Sequence, residues 1–202
     1  MIAVQKEPKI TQGGVTVLDF DPSKTWTSML DKLEKTSNPR HRKMLSEVIT
    51  HSRGEVDGDL DAVLGTLSAN PVYRYMRQAG PADEPRGTEA IRDYYVNDIF
   101  GAGRHILEGD KDRILVDDDT VVTEGTIRLL QWGRDLADRG VQVDPDSTYL
   151  MTMRYLIVWP FDEEQKILGE ESWNQWSRQT LEKVADEDVP QSFRDYITAK
   201  LG

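Results

Sequence analysis

The sequence predicts an α+β domain in which three N-terminal helices pack on one face of a curved antiparallel sheet. Two observations lead to it. Apolar residues recur at helical spacing as far as Phe100 and at alternate positions beyond it. The later segments are rich in β-branched and aromatic residues, and two of their three connectors, VDDDT and DEEQ, are short and polar. A chain of 202 residues, 38% hydrophobic, is long enough to bury one core.

Residues 1–37 read as an N-terminal extension. VTVLDF leads into a short docking helix, DPSKTWTSMLDKLEK, whose apolar stripe is Trp26, Met29, Leu30 and Leu33. The main domain spans 38–176. Asn38 caps its first helix and Pro39 takes the first helical position, where a missing N–H costs nothing. Met44, Leu45, Val48 and Ile49 form the buried stripe of that helix. Asp59 caps the second, which turns Leu60, Val63, Leu64 and Leu67 inward. NPVYRYM then reads as a short strand, with Tyr73 and Tyr75 on one side of it. After the loop QAGPADEPRG comes TEAIRDYYVNDIF, a third helix capped by Thr88, with Ile91, Tyr94, Tyr95 and Ile99 inward and Gly101 and Gly103 ending it.

Four strands follow: RHILEGDKDRILV, TVVTEGTIRLLQW, YLMTMRYLIVWPF and KILGEESWNQW. Residues 177–202 read as a C-terminal helical tail of two short helices broken near Pro190. The polar stretch 133–147 and this tail are both placed to cover a pocket mouth, and the sequence does not choose between them.

Composition narrows the function classes. A formal net charge of −11 repels polyanions, so neither nucleic acid nor an anionic membrane is an expected partner. The absence of cysteine excludes disulfides, thiolate catalysis and Cys-ligated metal. MIAVQKEPKI has no long apolar run, so neither a signal peptide nor a membrane span is expected, and the cytoplasm is the expected location. His41 and His51 lie ten apart and no H-E-x-x-H occurs, so no metal site is expected. GAGRHI lacks the third glycine and preceding strand of a dinucleotide fingerprint, and no P-loop or G-x-S-x-G elbow is present. No cofactor is therefore expected. DPDS at 144–147 lacks the spacing of a calcium loop and reads as a turn.

The order VYRYM, RGTEAIRDYY and DDDTVVTEGTIRLL resembles the nuclear-transport-factor-two-like superfamily, and within it the SnoaL-like polyketide cyclases and limonene-epoxide-hydrolase relatives. The resemblance covers residues 39–176 and implies a cone-shaped α+β fold, a cystatin-like roll. That superfamily holds isomerases, dehydratases, cyclases and epoxide hydrolases beside noncatalytic binding and dimerisation domains. The epoxide-hydrolase pattern has a tyrosine and, two residues on, an asparagine; here these are Tyr73 and Tyr75. Its Asp–Arg–Asp constellation falls on Ile127, Gly125 and Ser172, so water activation on an epoxide by that route is excluded. The general-base aspartate of ketosteroid isomerases corresponds to Tyr75, whose phenol has the wrong pKa for that task.

Alternation sorts the remaining candidates by sheet face. Thr123, Gly125, Ile127 and Leu129 share the concave face with Met151, Met153, Tyr155, Ile157 and Trp159. Glu124, Arg128 and Arg154 lie on the convex face as cross-strand charge pairs. The resemblance sends Leu168, Glu170, Ser172 and Asn174 inward and leaves Glu171 and Trp173 outside.

The expected function is binding of a hydrophobic cyclic small molecule, with cofactor-free isomerisation, dehydration or cyclisation if the pocket is catalytic. Tyr73 and Tyr75 would donate hydrogen bonds to a carbonyl or enolate oxygen, and Glu170 or His105 would move the proton. Met153, Tyr155, Trp159, Ile127, Ser172 and Asn174 would line the ligand. Each has a plainer reading: the tyrosines as core, Glu170 as a rim carboxylate, His105 as a strand-end surface residue. The competing function is a noncatalytic ligand-binding or dimerisation domain. A homodimer through the convex sheet, with Trp173 in the interface, is expected in either case.

Overall fold

The computed structural model describes residues 9–10, 18–75, 84–174 and 180–202. Seven strands form one mixed sheet: β1 (Lys9–Ile10), β2 (Arg74–Tyr75), β3 (Leu107–Val116), β4 (Thr120–Trp132), β5 (Thr148–Pro160), β6 (Glu171–Asn174) and β7 (Thr180–Lys183). Among the described residues six α-helices accompany it: α1 (Lys24–Lys35), α2 (Pro39–Asp57), α3 (Leu60–Gly65), α4 (Gly87–Tyr94), α5 (Gly133–Asp138) and α6 (Gln191–Leu201). The fold is α+β, with α2, α3 and α4 packed on one face of a bent sheet. Most of 1–17, part of the QAGPADEPRG loop with Met76, and the 176/177 boundary lie outside the described residues. Among the described residues, no helix is long and apolar enough to cross a membrane.

The spine of the sheet is the antiparallel pair β4–β5, in unbroken register from Thr120↔Pro160 to Trp132↔Thr148. β3 pairs with β4, with a bulge between Lys111 and Arg113. Period-2 alternation puts Val121, Thr123, Gly125 and Leu129 inward opposite Trp159, Ile157, Tyr155 and Met151, as the sequence predicts. Gly125 is required there, since a Cβ would lie 1.9 Å from the Asp110 carbonyl oxygen. On the outer face Arg154 pairs with Glu124 (3.1 Å) and Arg128 with Glu108 (3.0 Å).

Helix capping follows the local sequence. The Asn38 side chain accepts from the backbone N–H of Arg40 and His41, and Asp59 accepts from Ala62. Thr88 does not cap the third helix: α4 starts at Gly87, whose φ of +80° supplies the entry turn, and Arg86 holds the cap position. Beyond Tyr94 the helix widens into a π-helical turn, Tyr95–Phe100, closed by the Gly101 N–H on the Val96 carbonyl (2.9 Å). In α1, Met29 is fully buried while Leu30 is 45% exposed; the helix seats Thr25 and Met29 inward instead, since Thr25 accepts from the Gly109 N–H on β3.

Two further expectations fail for identifiable reasons. Leu168 points outward and Ile167 fills the core. The chain reverses its parity at Gly169, whose φ of +151° and close approach to Val72 leave no room for a Cβ. The tail is not wholly helical: Thr180–Lys183 forms β7 and pairs with Tyr149–Thr152 of β5, so sheet pairing overrides the helical propensity of TLEK. The structure also assigns the two covering segments. Leu136, Val141 and Val143 of the 133–147 stretch pack against Leu129, Tyr149 and Met151 on the inner face. Val184, Val189 and Phe193 of the tail pack with Leu18 and Phe20 on Leu130, Trp132 and Leu150 of the outer face.

Candidate active site

Two sequence features bring the site together. On α2, His51 continues the buried stripe Met44–Val48 by one more step, so the ring must enter the core. On the last strand, the Gly169 kink turns Glu170 inward, and the Arg74 N–H holds its carbonyl at 2.7 Å. The two side chains meet: His51 Nε2 lies 3.1 Å from Glu170 Oε1.

Two phenols complete the cluster. The Tyr95 hydroxyl is 2.8 Å from His51 Nε2 and donates to Glu170 Oε1 at 3.2 Å. The Tyr73 hydroxyl is 3.1 Å from that of Tyr95 and 3.4 Å from Nε2. Burial, and then the Glu170 charge for Tyr73 or the neighbouring Tyr73 for Tyr95, raise both phenols well above their ordinary value, so they act only as neutral hydrogen-bond groups. The Trp159 ring stands edge-on to the imidazole at 5.4 Å and is itself fixed by its Nε1–H on Thr123 Oγ1 (3.0 Å).

Hydrogen counting fixes the tautomer. The Thr66 hydroxyl donates its one hydrogen to the Val63 carbonyl (2.6 Å), so it accepts from His51 Nδ1 at 2.8 Å. Nδ1 therefore carries a hydrogen. Nε2, the other ring nitrogen, faces both Glu170 Oε1 at 3.1 Å and the Tyr95 hydroxyl at 2.8 Å. His51 and Tyr73 are fully buried, whereas the Glu170 side chain is 12% exposed. Its Oε2 has no hydrogen-bond partner among the described residues, so that atom is the one turned to the open side of the cluster.

The concave wall beyond Glu170 carries further polar atoms. Tyr75 and Ser172 are register partners on the parallel pair β2–β6, and both hydroxyls are buried without a partner among the described residues. Burial, followed by the nearby Tyr94 phenol, raises the Tyr75 phenol far above its ordinary range. Glu55, one turn after His51, keeps partial exposure as a residue while its carboxyl is densely surrounded. Burial and the Glu170 charge push it up to about 7, against the pull of His51 and Lys111. Burial brings Lys111 down to about 8, with Glu55 resisting.

The structure therefore joins Tyr73 and Glu170 in one cluster and sets Tyr75 and Ser172 beside it. His105 stands apart: its ring packs edge-on against Phe100 at 5.4 Å, its Nδ1 is buried without a partner among the described residues, and burial lowers its pKa. Trp159 lies behind His51. Met153 and Tyr155 are buried on the inner face, Ile127 faces Met153 and Asn174 faces Tyr155, each partly exposed. Tyr75, Tyr94, Ile127, Ile157 and Asn174 are incompletely covered, so side chains alone do not fill the concave side. His51 is missed by sequence because, ten positions from His41, it is weighed there only as a metal ligand. Its place on the apolar stripe of α2 was the available signal. Among the described residues no group of three or more carboxylates and histidines could hold a metal ion.

No protein family and no curated protein matches the chain by sequence. Solved structures do. The chain is similar to SalBIII, an epoxide hydrolase/cyclase-like enzyme in pyran ring formation in the polyether salinomycin, with a TM-score of 0.51 and 14% identity, over 68% of this chain and 95% of that one. It is similar to a candidate SnoaL-like polyketide cyclase from Jannaschia sp. CCS1, with a TM-score of 0.52 and 14% identity, over 70% and 91%. It is also similar to a computationally designed 17-OHP binder, with a TM-score of 0.52 and 11% identity, over 69% and 95%. The chain thus has the nuclear-transport-factor-two-like fold. At these identities the likeness concerns architecture, and function rests on the site.

Proposed function

We propose that the concave side binds a hydrophobic, cyclic, oxygenated small molecule and moves a proton within it without a cofactor. The observation that carries this reading is the 3.1 Å contact between His51 Nε2 and Glu170 Oε1, with the imidazole fully buried and the Glu170 side chain 12% exposed. In the direction of proton removal, Glu170 Oε2 takes a proton from a carbon next to a carbonyl, and the C–H electron pair moves into the enolate. His51 Nε2 and Tyr95 hold Oε1, with Tyr73 behind them as a positioning group. The unpartnered Tyr75 and Ser172 hydroxyls donate to the ligand oxygen where negative charge develops. Return of the proton to another carbon completes an isomerisation; loss of a β-hydroxyl as water completes a dehydration. That the same architecture holds both a cyclase-like enzyme and a designed 17-OHP binder supports a pocket of this class.

The test begins with a panel of steroid- and polyketide-like cyclic ketones scored by thermal shift. Hits are then incubated in heavy water, and deuterium uptake beside the carbonyl is followed by NMR. Uptake that depends on the protein supports proton transfer. Binding without uptake favours the second reading, a noncatalytic ligand-binding domain, which the complete burial of His51 and Tyr73 also suits.

The reading includes a homodimer through the outer sheet face. Leu115 (55% exposed) and Trp173 (39%) are exposed on that face, beside Val122 and Val158, whereas the tail covers its other end. Light scattering at micromolar concentration checks it, and a monomer would count against it.

A further inference from the structure

A cavity of about 210 Å³ lies at the end of β4, between that strand, α5, α6 and the 102–104 turn. It exceeds the ~150 Å³ of an engineered cavity that accepts benzene. Its floor is apolar: Leu130, Trp132 and Phe193, all at least nine-tenths buried. Trp132 is held flat by the Arg134 guanidinium, 5.0 Å from the ring centroid.

The rim is charged and its balance is unlike the rest of the molecule. Arg104, Arg139 and Lys200 face Asp135 and Asp138, three cations against two anions, in a chain of net charge −11. Asp135 is already engaged, by the Tyr196 hydroxyl (2.9 Å) and by Lys200 (3.9 Å). Arg139 is oriented rather than neutralised: its Nε donates to the Asp135 carbonyl and its Nη2 to Gln131 Oε1, both at 2.8 Å. Both acceptors are uncharged, so hydrogen bonds aim the fork without cancelling its charge. The Arg104 side chain has no hydrogen-bond or ion-pair partner among the described residues, and its charge opposes that of Arg139. Two guanidinium groups that repel one another across an apolar floor form a site for an anion with a ring attached.

We propose that this cavity binds a small monoanionic carboxylate carrying an aromatic or cyclic apolar group, its ring on Trp132 and its carboxylate on Arg104 and Arg139. The site is distinct from the concave one: none of the residues lining it belongs to the His51, Tyr73, Tyr95 and Glu170 cluster.

Benzoate is the probe, titrated into the full chain with the Trp132 indole N–H followed by two-dimensional NMR. Saturable binding with a Kd on the order of 1 mM or tighter is expected, shifting that resonance. Benzyl alcohol, which keeps the ring and lacks the charge, binds at least about tenfold more weakly. Arg104→Gln and Arg139→Gln each weaken benzoate about tenfold, while Glu170→Gln and Tyr75→Phe leave it unchanged. Arg104 and Arg139 lie at the rim, and circular dichroism confirms that their variants remain folded. Absence of saturable binding overturns the proposal. So does binding that ignores both arginine variants, or binding lost in Glu170→Gln, which would move the ligand to the concave side.

Discussion

His51 Nε2 and Glu170 Oε1 stand 3.1 Å apart although 119 positions separate them, and the contact ties the middle of α2 to the residue that precedes β6. Removing either member has a different consequence. Glu170→Gln keeps an oxygen acceptor for His51 and Tyr95, so unfolding in urea should shift by no more than about 1 kcal/mol. Deuterium uptake into a bound ketone should fall by about 10²-fold or more, because an amide takes no proton from carbon. Uptake at the parental rate would remove Glu170 from the chemistry. His51→Ala instead empties a fully buried ring site and leaves Thr66 and Tyr95 short of a partner, at an expected cost of about 2–4 kcal/mol.

Gly169 controls whether Glu170 faces inward. An alanine there would place its Cβ 1.8 Å from the Val72 carbonyl oxygen, in a backbone conformation that L side chains rarely adopt. Gly169→Ala should cost about 3 kcal/mol or more, or prevent folding. Gly65→Ala is the contrast. It meets nothing within 4 Å on α3 and should stabilise by about 0.5–1 kcal/mol in the same denaturant titration.

Glu55 makes stability depend on pH in a defined window. Its folded value of about 7 lies above the ordinary 4.5, so the folded chain binds this proton more tightly than the unfolded one. Stability from this group is full below about 4.5 and is lost as pH rises through about 7. Glutamine imitates the protonated acid. Glu55→Gln should therefore raise stability at pH 8 by on the order of 1 kcal/mol given the residue's partial exposure, seen as a higher melting temperature, and leave it unchanged at pH 4. An equal shift at both pH values would exclude titration as the cause.

The Asn38 cap offers a smaller effect. Its side chain accepts from Arg40 (2.9 Å) and His41 (3.3 Å), two donors that α2 cannot satisfy internally. Asn38→Ala should cost about 1 kcal/mol, and Asn38→Asp should retain most of it, both read from urea midpoints at constant slope.

What the sequence disclosed follows from how local each cause is. Alternation along β4 and β5 placed Met153, Tyr155 and Trp159 on the face where they lie, because a half-buried strand writes its parity into every second residue. Asn38–Pro39 and Asp59 marked helix starts because capping involves residues within one turn. Leu168 was misplaced because one glycine with positive φ reverses the parity of all that follows, and spacing alone does not reveal φ. TLEK was misread because its strand state comes from β5, thirty residues away in sequence. Half of the candidate site was legible: alternation in VYRYM put Tyr73 beside Tyr75, whereas Glu170 was turned inward only by the family resemblance, since its segment does not declare its parity. His51 and Tyr95 meet them only through the packing of α2 and the π-helical turn on the sheet, a nonlocal fact.

One end of the outer face is covered by segments far apart in sequence, Leu18 and Phe20 with Val184, Val189 and Phe193. During synthesis the early segment emerges long before its partners, and β5 leaves the ribosome before β7 exists to pair with it. Leu130, Trp132 and Leu150 therefore wait until Val184, Val189 and Phe193 have been made. Over that interval their apolar surface stays open to water, and the nascent chain is prone to misassociation.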